Sequence, residues 1–158
     1  MNSNLSSKIL ISDLGFENYQ TVLSIQEDLQ KQRIKGKASD TLFLVEHEPV
    51  YTLGKNANRD HLLQSRDKSI KVFNIGRGGD VTFHGPGQLV GYPILDLRNY
   101  KKSVSWYMRR LEELTIRVLK EFDIKGSRIK GLTGVWVNNK KIAAQGVRIS
   151  RWVTMHGF

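Results

Sequence analysis

The residues best able to do chemistry are concentrated in a glycine-rich segment, residues 74–92, which reads NIGRGGDVTFHGPGQLVGY. Six of the chain's 14 glycines lie in these nineteen residues, a density that disfavours a helix and weakens a strand. A loop of this composition lets main-chain N–H groups approach a ligand, and Arg77, His84 and Gln88 add side chains that can orient a substrate. The segment therefore predicts a binding loop. The alternative is a pair of tight turns between two strands, with His84 as a structural residue.

Several kinds of site are excluded by motifs that the chain lacks. Neither GxGxxG nor GxxxxGK[ST] occurs, so an ordinary nucleotide-phosphate loop is not indicated. The histidines at positions 47, 61, 84 and 156 are dispersed and have no metal-ligand spacing, which predicts that the protein binds no metal. The absence of cysteine excludes disulfides, thiolate metal sites and, within these residues, a cysteine nucleophile.

The charge balance predicts an acidic partner. Lys and Arg number 25 against 15 Asp and Glu, which gives a formal net charge of +10. A surplus of this size attracts acidic macromolecules over long distances. Nucleic acid and an acidic carrier protein both fit the charge, but no nucleic-acid-binding motif accompanies it, so we predict no nucleic-acid partner.

The length and the apolar pattern predict one intracellular domain. A chain of 158 residues suffices for one ordinary domain and is too short for two, and no repeat or linker divides residues 1–158. The longest apolar run, Leu42–Val45, cannot cross a membrane, and residues 1–11 show no secretion signal. We therefore expect a soluble, cytoplasmic protein with no membrane partner.

The elements that must position the glycine-rich segment are predicted from apolar spacing. Helices are expected over residues 18–35 and 104–122, the second capped by Ser103. Runs of apolar and β-branched residues predict strands at 41–47, 134–137, 141–150 and 152–155. Residues 138–140 read as the turn of a hairpin. This order lacks strict βαβ alternation, so an α+β (mixed-sheet α/β) fold is favoured over a doubly wound sheet.

Five stretches of the chain, between about Thr41 and the last residue, resemble one known family. They are residues 44–54 (LVEHEPVYTLG), 77–92 (RGGDVTFHGPGQLVGY), 131–136 (GLTGVW), 141–148 (KIAAQGVR) and 152–158 (WVTMHGF). Together they are similar to the octanoyltransferases, the lipoate–protein ligase B family, which move an octanoyl group from an acyl carrier protein thioester to a lysine of a lipoyl domain. The resemblance implies the fold of the biotin and lipoate protein ligase catalytic domain.

The resemblance also implies which residues form the site. Lys141 would be the catalytic lysine: its ammonium would favour the thiolate form of a nearby thiol, and its free amine would take a proton from the incoming lysine. Without the resemblance, Lys141 would read as a solvated hairpin lysine like Lys140. The implied substrate-binding residues are Arg77, Gly78, Gly79, Asp80, Val81, Thr82, Phe83, His84, Ala144, Gln145, Gly146, Gly157 and Phe158.

The implied reaction is the first step of endogenous protein lipoylation and needs no cofactor. Because transfer from a thioester to an amide is downhill, no ATP is required. The implied donor is octanoyl-acyl carrier protein. The implied acceptors are the lipoyl domains of 2-oxoacid dehydrogenases and the glycine cleavage H protein.

The chain departs from the family at the nucleophile. The family uses a cysteine, downstream of the His-Gly-Phe turn, that forms an acyl-enzyme, whereas this chain has no cysteine and ends at Phe158 in an apolar, strand-like stretch. We therefore expect a fragment of one catalytic domain whose C-terminal part is missing, inactive by the thiolate route as it stands. An inactive binding relative and an ATP-dependent lipoate or biotin ligase are the alternatives.

Overall fold

The structure, a computed structural model, describes residues 8–158, so part of the segment predicted to lack a secretion signal lies outside the described residues. Two α-helices are present in the described range, α1 (Tyr19–Ile34) and α2 (Val104–Lys120). The strands are β1 (Leu10–Glu17), β2 (Thr41–His47), β3 (Val50–Leu53), β4 (Lys71–Asn74), β5 (Val81–His84), β6 (Val90–Ile94), β7 (Val135–Val137), β8 (Lys140–Ala143), β9 (Gly146–Ser150) and β10 (Val153–Gly157). Parallel and antiparallel pairs occur together, which confirms the predicted α+β fold with mixed sheets. Neither helix is long and apolar enough to span a bilayer.

Helix α1 begins and ends where the sequence predicts. The side-chain oxygen of Asn18 accepts hydrogen bonds from the N–H groups of Gln20 (2.9 Å) and Thr21 (3.3 Å), which caps the first turn. The helix stops before Gly36, whose φ of +72° lies in the left-handed region that glycine adopts without steric cost.

Two glutamines fasten α1 to the last strand. Gln26 and Gln30 are buried on the inner face of the helix. Gln26 accepts a hydrogen bond from the N–H of His156 (3.0 Å), and Gln30 donates one to the carbonyl of Val153 (2.9 Å). Two polar side chains on the buried face of α1 therefore hold β10 in place.

The main sheet has β2 at its centre, parallel to β1 and antiparallel to β6. Strand β10 lies beside β6 and is joined to it by two main-chain hydrogen bonds between Gly91 and Phe158 (2.8 and 3.0 Å). β9 pairs with the other side of β10 in antiparallel register. The principal core packs between this sheet and α1, and its fully buried members include Val22, Ile94 and Met155.

A second mixed sheet carries the glycine-rich segment. β3 lies between β4, which runs parallel to it, and β5, which runs antiparallel. The prediction of one continuous loop over residues 74–92 was therefore wrong in part, because β5 and the start of β6 lie within it. The alternative reading, tight turns between strands, describes the backbone better, because β5 contains no glycine and pairs with β3, while all glycines of the segment except Gly91 lie in the turns before and after it.

Helix α2 and a β-hairpin make up the rest of the described fold. Ser103 caps α2 as predicted, with its hydroxyl accepting a hydrogen bond from the Trp106 N–H (3.3 Å). β7 and β8 form the predicted hairpin, and its turn residues Asn138 and Asn139 have φ values of 47° and 62°. The predicted single strand over 141–150 was wrong: it breaks into β8 and β9, because β9 pairs with β10 rather than with β7.

Thr154→Val is expected to destabilise the protein, because the Thr154 hydroxyl ties β10 to β6. This buried hydroxyl donates to the Pro93 carbonyl (2.6 Å) and accepts from the Leu95 N–H (2.8 Å). Valine keeps the shape and removes both bonds, so the free energy of unfolding in urea should fall by about 1–3 kcal/mol. Thr21→Val, on the exposed side of α1, is the matched control and should change it little. Equal losses in the two variants would contradict the assignment.

Candidate active site

One cavity of about 440 Å³ lies between the glycine-rich segment, the β8–β9 connection and the end of β10. Thirteen of the fourteen predicted site residues line it: Arg77, Gly79, Asp80, Val81, Thr82, Phe83, His84, Lys141, Ala144, Gln145, Gly146, Gly157 and Phe158. Gly78 lies outside this lining, and its N–H donates to the carbonyl of Val147 (3.0 Å), which fastens the segment to β9. The fold thus brings together stretches that are far apart in sequence, and the individual roles stay predictions.

The Arg77 guanidinium holds the shape of the glycine-rich segment. Its Nη2 donates to the carbonyl and hydroxyl of Thr52 (3.0 and 2.8 Å) and to the Asp80 carbonyl (3.0 Å), and its Nη1 donates to the Gly78 carbonyl (2.9 Å). The side chain is buried, and this burial lowers the pKa of Arg77. Arg77 therefore contributes a fixed positive charge to the cavity wall and organises the main chain around it.

Asp80 lies at the exposed edge of the cavity. Its carboxylate is hydrogen-bonded to His61 and accepts the N–H of Asn58 (3.0 Å). The bond from His61 lowers the pKa of Asp80. The carboxylate is therefore held as an anion and connects the glycine-rich segment to the short 3-10 helix Arg59–His61.

Aromatic and imidazole rings form the inner wall. The rings of His84 and Tyr19 are stacked with their centroids 6.0 Å apart, and the ring of His156 meets that of Tyr92 edge-on at 6.4 Å. Behind them, the fully buried His47 holds the Tyr92 hydroxyl at 2.9 Å from its Nε2. The Nδ1 of His47 faces the Glu17 carbonyl at 2.9 Å, and because a carbonyl only accepts, Nδ1 carries the proton and Nε2 accepts from Tyr92.

Burial keeps the two cavity histidines neutral. It lowers the pKa of His84 to about 4 and that of His156 to about 4. The Nδ1 of His84 lies 2.7 Å from the Oε1 of Gln88, which leaves its Nε2 as the basic nitrogen. Near pH 7, both imidazoles are therefore in the form that can accept a proton.

Lys141 projects from β8 toward the cavity. Its Nζ lies 4.9 Å from the centroid of the Trp136 ring, a cation–π contact that fixes the position of the ammonium group. Trp136 itself is buried, so the ring is a rigid support for the otherwise exposed lysine. The lysine thus adds a positioned positive charge to the cavity.

Part of the remaining wall is apolar and suits an alkyl chain. Ile75, Val81, Phe83, Val90 and Phe158 contribute hydrocarbon surface to the cavity. Apolar walls next to a lysine and neutral imidazoles suit the binding of an acyl group and its transfer to an amine.

Six cavity residues were not among the predicted site residues, although all but Tyr19 lie in the glycine-rich segment or in a stretch that carries the resemblance. They are Tyr19, Ile75, Val90, Tyr92, Thr133 and His156. Tyr19 is the first residue of α1 and looks like an ordinary core aromatic, and His156 looks like an isolated structural histidine. Within residues 8–158, no group of three or more His, Asp or Glu side chains is arranged to hold a metal ion.

His156→Asn is expected to weaken the dependence of stability on pH. The unfolded chain takes up a proton near pH 6.5 and the folded protein only near pH 4, so the free energy of unfolding falls as the pH drops through this window. His156 contributes about 3 kcal/mol to that fall. Asparagine tolerates the φ of 59° at this position. Urea unfolding between pH 4 and 7.5 should show a shallower slope in His156→Asn than in the wild-type protein, and an unchanged slope would refute the assignment.

Comparisons with known proteins agree with this geometry. The model of the lipoyl protein ligase A/B catalytic domain matches residues 18–158. The chain is 49% identical over 152 residues to an octanoyltransferase of Gloeobacter violaceus and 51% identical over 152 residues to one of Solibacter usitatus. These matches cover 96% and 94% of the chain and 68% and 69% of the two relatives.

Solved structures show the same fold at low sequence identity. A crystal structure of lipoate-protein ligase A bound with ATP matches with a TM-score of 0.69 at 14% identity, covering 94% of this chain and 64% of that one. P. falciparum LipL1 in complex with lipoate matches with a TM-score of 0.68 at 16% identity, covering 95% and 46%. The chain thus spans less than two thirds of the length of each of these two solved chains. With its family model, its close relatives and its fold in agreement, the chain belongs to the octanoyltransferases, an acyltransferase family with the lipoyl protein ligase A/B catalytic domain.

Proposed function

We propose that this protein transfers an octanoyl group from octanoyl-acyl carrier protein to a lysine of lipoyl domains, in the cytoplasm. The acceptors would be the lipoyl domains of 2-oxoacid dehydrogenases and the glycine cleavage H protein. The observation that carries the proposal is the single cavity in which an apolar wall, Lys141 and the neutral His84 meet. The octanoyltransferase relatives support the same reaction.

The cavity residues suggest how the reaction proceeds. The alkyl chain would lie along the apolar wall, with the thioester carbonyl near Lys141, whose positive charge favours the oxyanion of a tetrahedral intermediate. The acceptor amine would attack this carbonyl and form the tetrahedral intermediate, and His84 would take a proton from the attacking nitrogen. Collapse of the intermediate would then break the C–S bond and release the carrier's thiol, which receives that proton.

In a covalent route, a thiolate would attack the thioester first, and the acceptor amine would attack second. The thiolate would attack the thioester and displace the carrier's thiolate, which leaves an acyl-enzyme. The acceptor lysine would then attack this acyl group, forming the amide as the enzyme's thiolate is released. These 158 residues contain no cysteine, so this route requires a thiol from outside them. Lys141 would then favour ionisation of that thiol, because an ammonium group stabilises a nearby thiolate.

A basic groove along α2 would bind the acidic protein partners. It is lined by Trp106, two serines, four cations and one carboxylate. The charged residues are Lys101, Arg109, Arg110, Arg128 and Glu113. Arg110 stacks on the Trp106 ring, with its guanidinium carbon 5.5 Å from the ring centroid. This surplus of positive charge complements an acidic carrier or lipoyl domain.

The direct test incubates octanoyl-acyl carrier protein and a lipoyl domain with the 158-residue chain and, separately, with the gene product purified from its own cells. Mass spectrometry of the lipoyl domain detects the amide. We expect transfer without ATP from a gene product that contains a cysteine, by the covalent route. Transfer without ATP by the cysteine-free 158-residue chain would show direct attack by the acceptor amine instead. Transfer from octanoate that depends on ATP would indicate a ligase instead. Binding of the octanoyl donor with no transfer by either protein would indicate an inactive binding relative.

Lys141→Met is expected to lower the transfer rate by about 10²- to 10⁴-fold, because it removes the positioned ammonium group. Single-turnover kinetics with a saturating octanoyl donor measure this change. Lys140→Met is the matched control, since Lys140 is an exposed neighbour on the same strand and does not line the cavity. A Lys141→Met protein that transfers at the wild-type rate would remove Lys141 from the mechanism.

Arg110→Glu is expected to weaken binding of the acyl carrier protein, and the loss should shrink as salt rises because the attraction is electrostatic. Titration of the carrier by calorimetry at two salt concentrations measures it. Lys71→Glu makes the same charge change on β4, away from the groove. If both variants lose affinity equally, net charge rather than the groove explains binding.

A further inference from the structure

We propose that Glu112 is the positioning residue that holds Lys141 at the cavity. The inference rests on the proposed role of Lys141 and concerns how the fold fixes that lysine in place. Glu112 lies on the inner face of α2 and is only 1% exposed. A carboxylate this deeply buried requires partners for its charge.

The partners of Glu112 come from three parts of the chain. Its Oε2 accepts hydrogen bonds from Arg109 (2.7 Å) on the same helix and from the Nε of Arg128 (2.9 Å). Its Oε1 accepts the main-chain N–H of Gly134 at 3.3 Å. Burial alone would raise the pKa of Glu112, but the bonds from Arg109, Gly134 and Arg128 bring it below its ordinary value. The carboxylate is therefore an anion that ties α2 to the segment leading into β7.

Gly134 connects the Glu112 carboxylate to the side chain of Lys141. Its φ is +143°, which excludes other residues without strain, and a Cβ built there would lie 3.1 Å from the Cε of Lys141. The same Cβ would lie 3.0 Å from the Trp136 ring. The Gly134 backbone therefore packs against both the lysine side chain and the ring that supports its ammonium group. Thr133, the preceding residue, lines the cavity itself.

Glu113 provides a matched comparison on the same helix turn. It accepts hydrogen bonds from Arg117 (3.1 Å) and from the Nη2 of Arg128 (2.9 Å). It shares Arg128 with Glu112, and no hydrogen bond joins it to Gly134 among the described residues. Loss of Glu113 therefore removes two salt bridges without releasing the backbone beneath Lys141.

The test records the ε-methylene NMR signals of Lys141 in the ligand-free 158-residue chain, well below its unfolding temperature. The Trp136 ring current should displace these signals from those of the exposed Lys140. In Glu112→Ala, the Lys141 signals should move to the Lys140 position, and in Glu113→Ala they should stay. Glu112→Gln, which keeps an acceptor for Gly134 but loses the charge that holds the arginines, should lie between the two.

A Glu112→Ala protein that loses stability but keeps the Lys141 signals in place would show a merely structural residue and overturn the proposal. If Glu112→Ala does not fold, Glu112→Asp decides, because its shorter side chain withdraws the acceptor from Gly134, and wild-type Lys141 signals in that variant overturn the proposal equally. The measurement needs no substrate, so its failure is separate from that of the proposed function. A Lys141 that is anchored through Glu112 in a protein that transfers no octanoyl group would refute the function and leave this inference intact.

Discussion

The cavity depends on one buried guanidinium. Arg77 donates to Thr52 on β3 and to two carbonyls of its own glycine-rich segment, so strand and segment share a single planar donor group. A guanidinium suits this place because its fixed fork serves several carbonyls at once and stays charged when buried. The main-chain carbonyls that it satisfies would otherwise be left without these partners in a water-poor interior.

Burial has two opposite effects around this charge. It lowers the pKa of His84 and His156, so that neutral bases stand beside the cationic Arg77 near pH 7. The same burial lowers the free energy of unfolding in acid, since the unfolded chain binds protons that the folded protein does not bind. Neutral imidazoles in the cavity are thus obtained at the expense of stability below neutral pH.

Helix α2 supports the site from outside the cavity. Its inner face carries Glu112, which reaches Gly134 and the arginines, while its outer face contributes Arg110 to the basic groove. One helix therefore links the surface that would meet a protein partner to the backbone beneath Lys141. The fold is shared with lipoate ligases at 14–16% identity, so its architecture depends on few particular residues, and the chemistry resides in the side chains added to it.

The sequence alone determined the features whose causes are local. Both helices and their caps, Asn18 and Ser103, and the Asn-rich hairpin turn follow from side chains within a few residues of one another. It also showed, through the resemblance, most of the stretches that line the cavity. Only the tertiary structure decided that the glycine-rich segment forms strands, that Gln26 binds the main chain 130 positions away and that Glu112 holds Gly134. These interactions join residues that are distant in sequence, and no local propensity or spacing encodes the partner that satisfies a buried polar group.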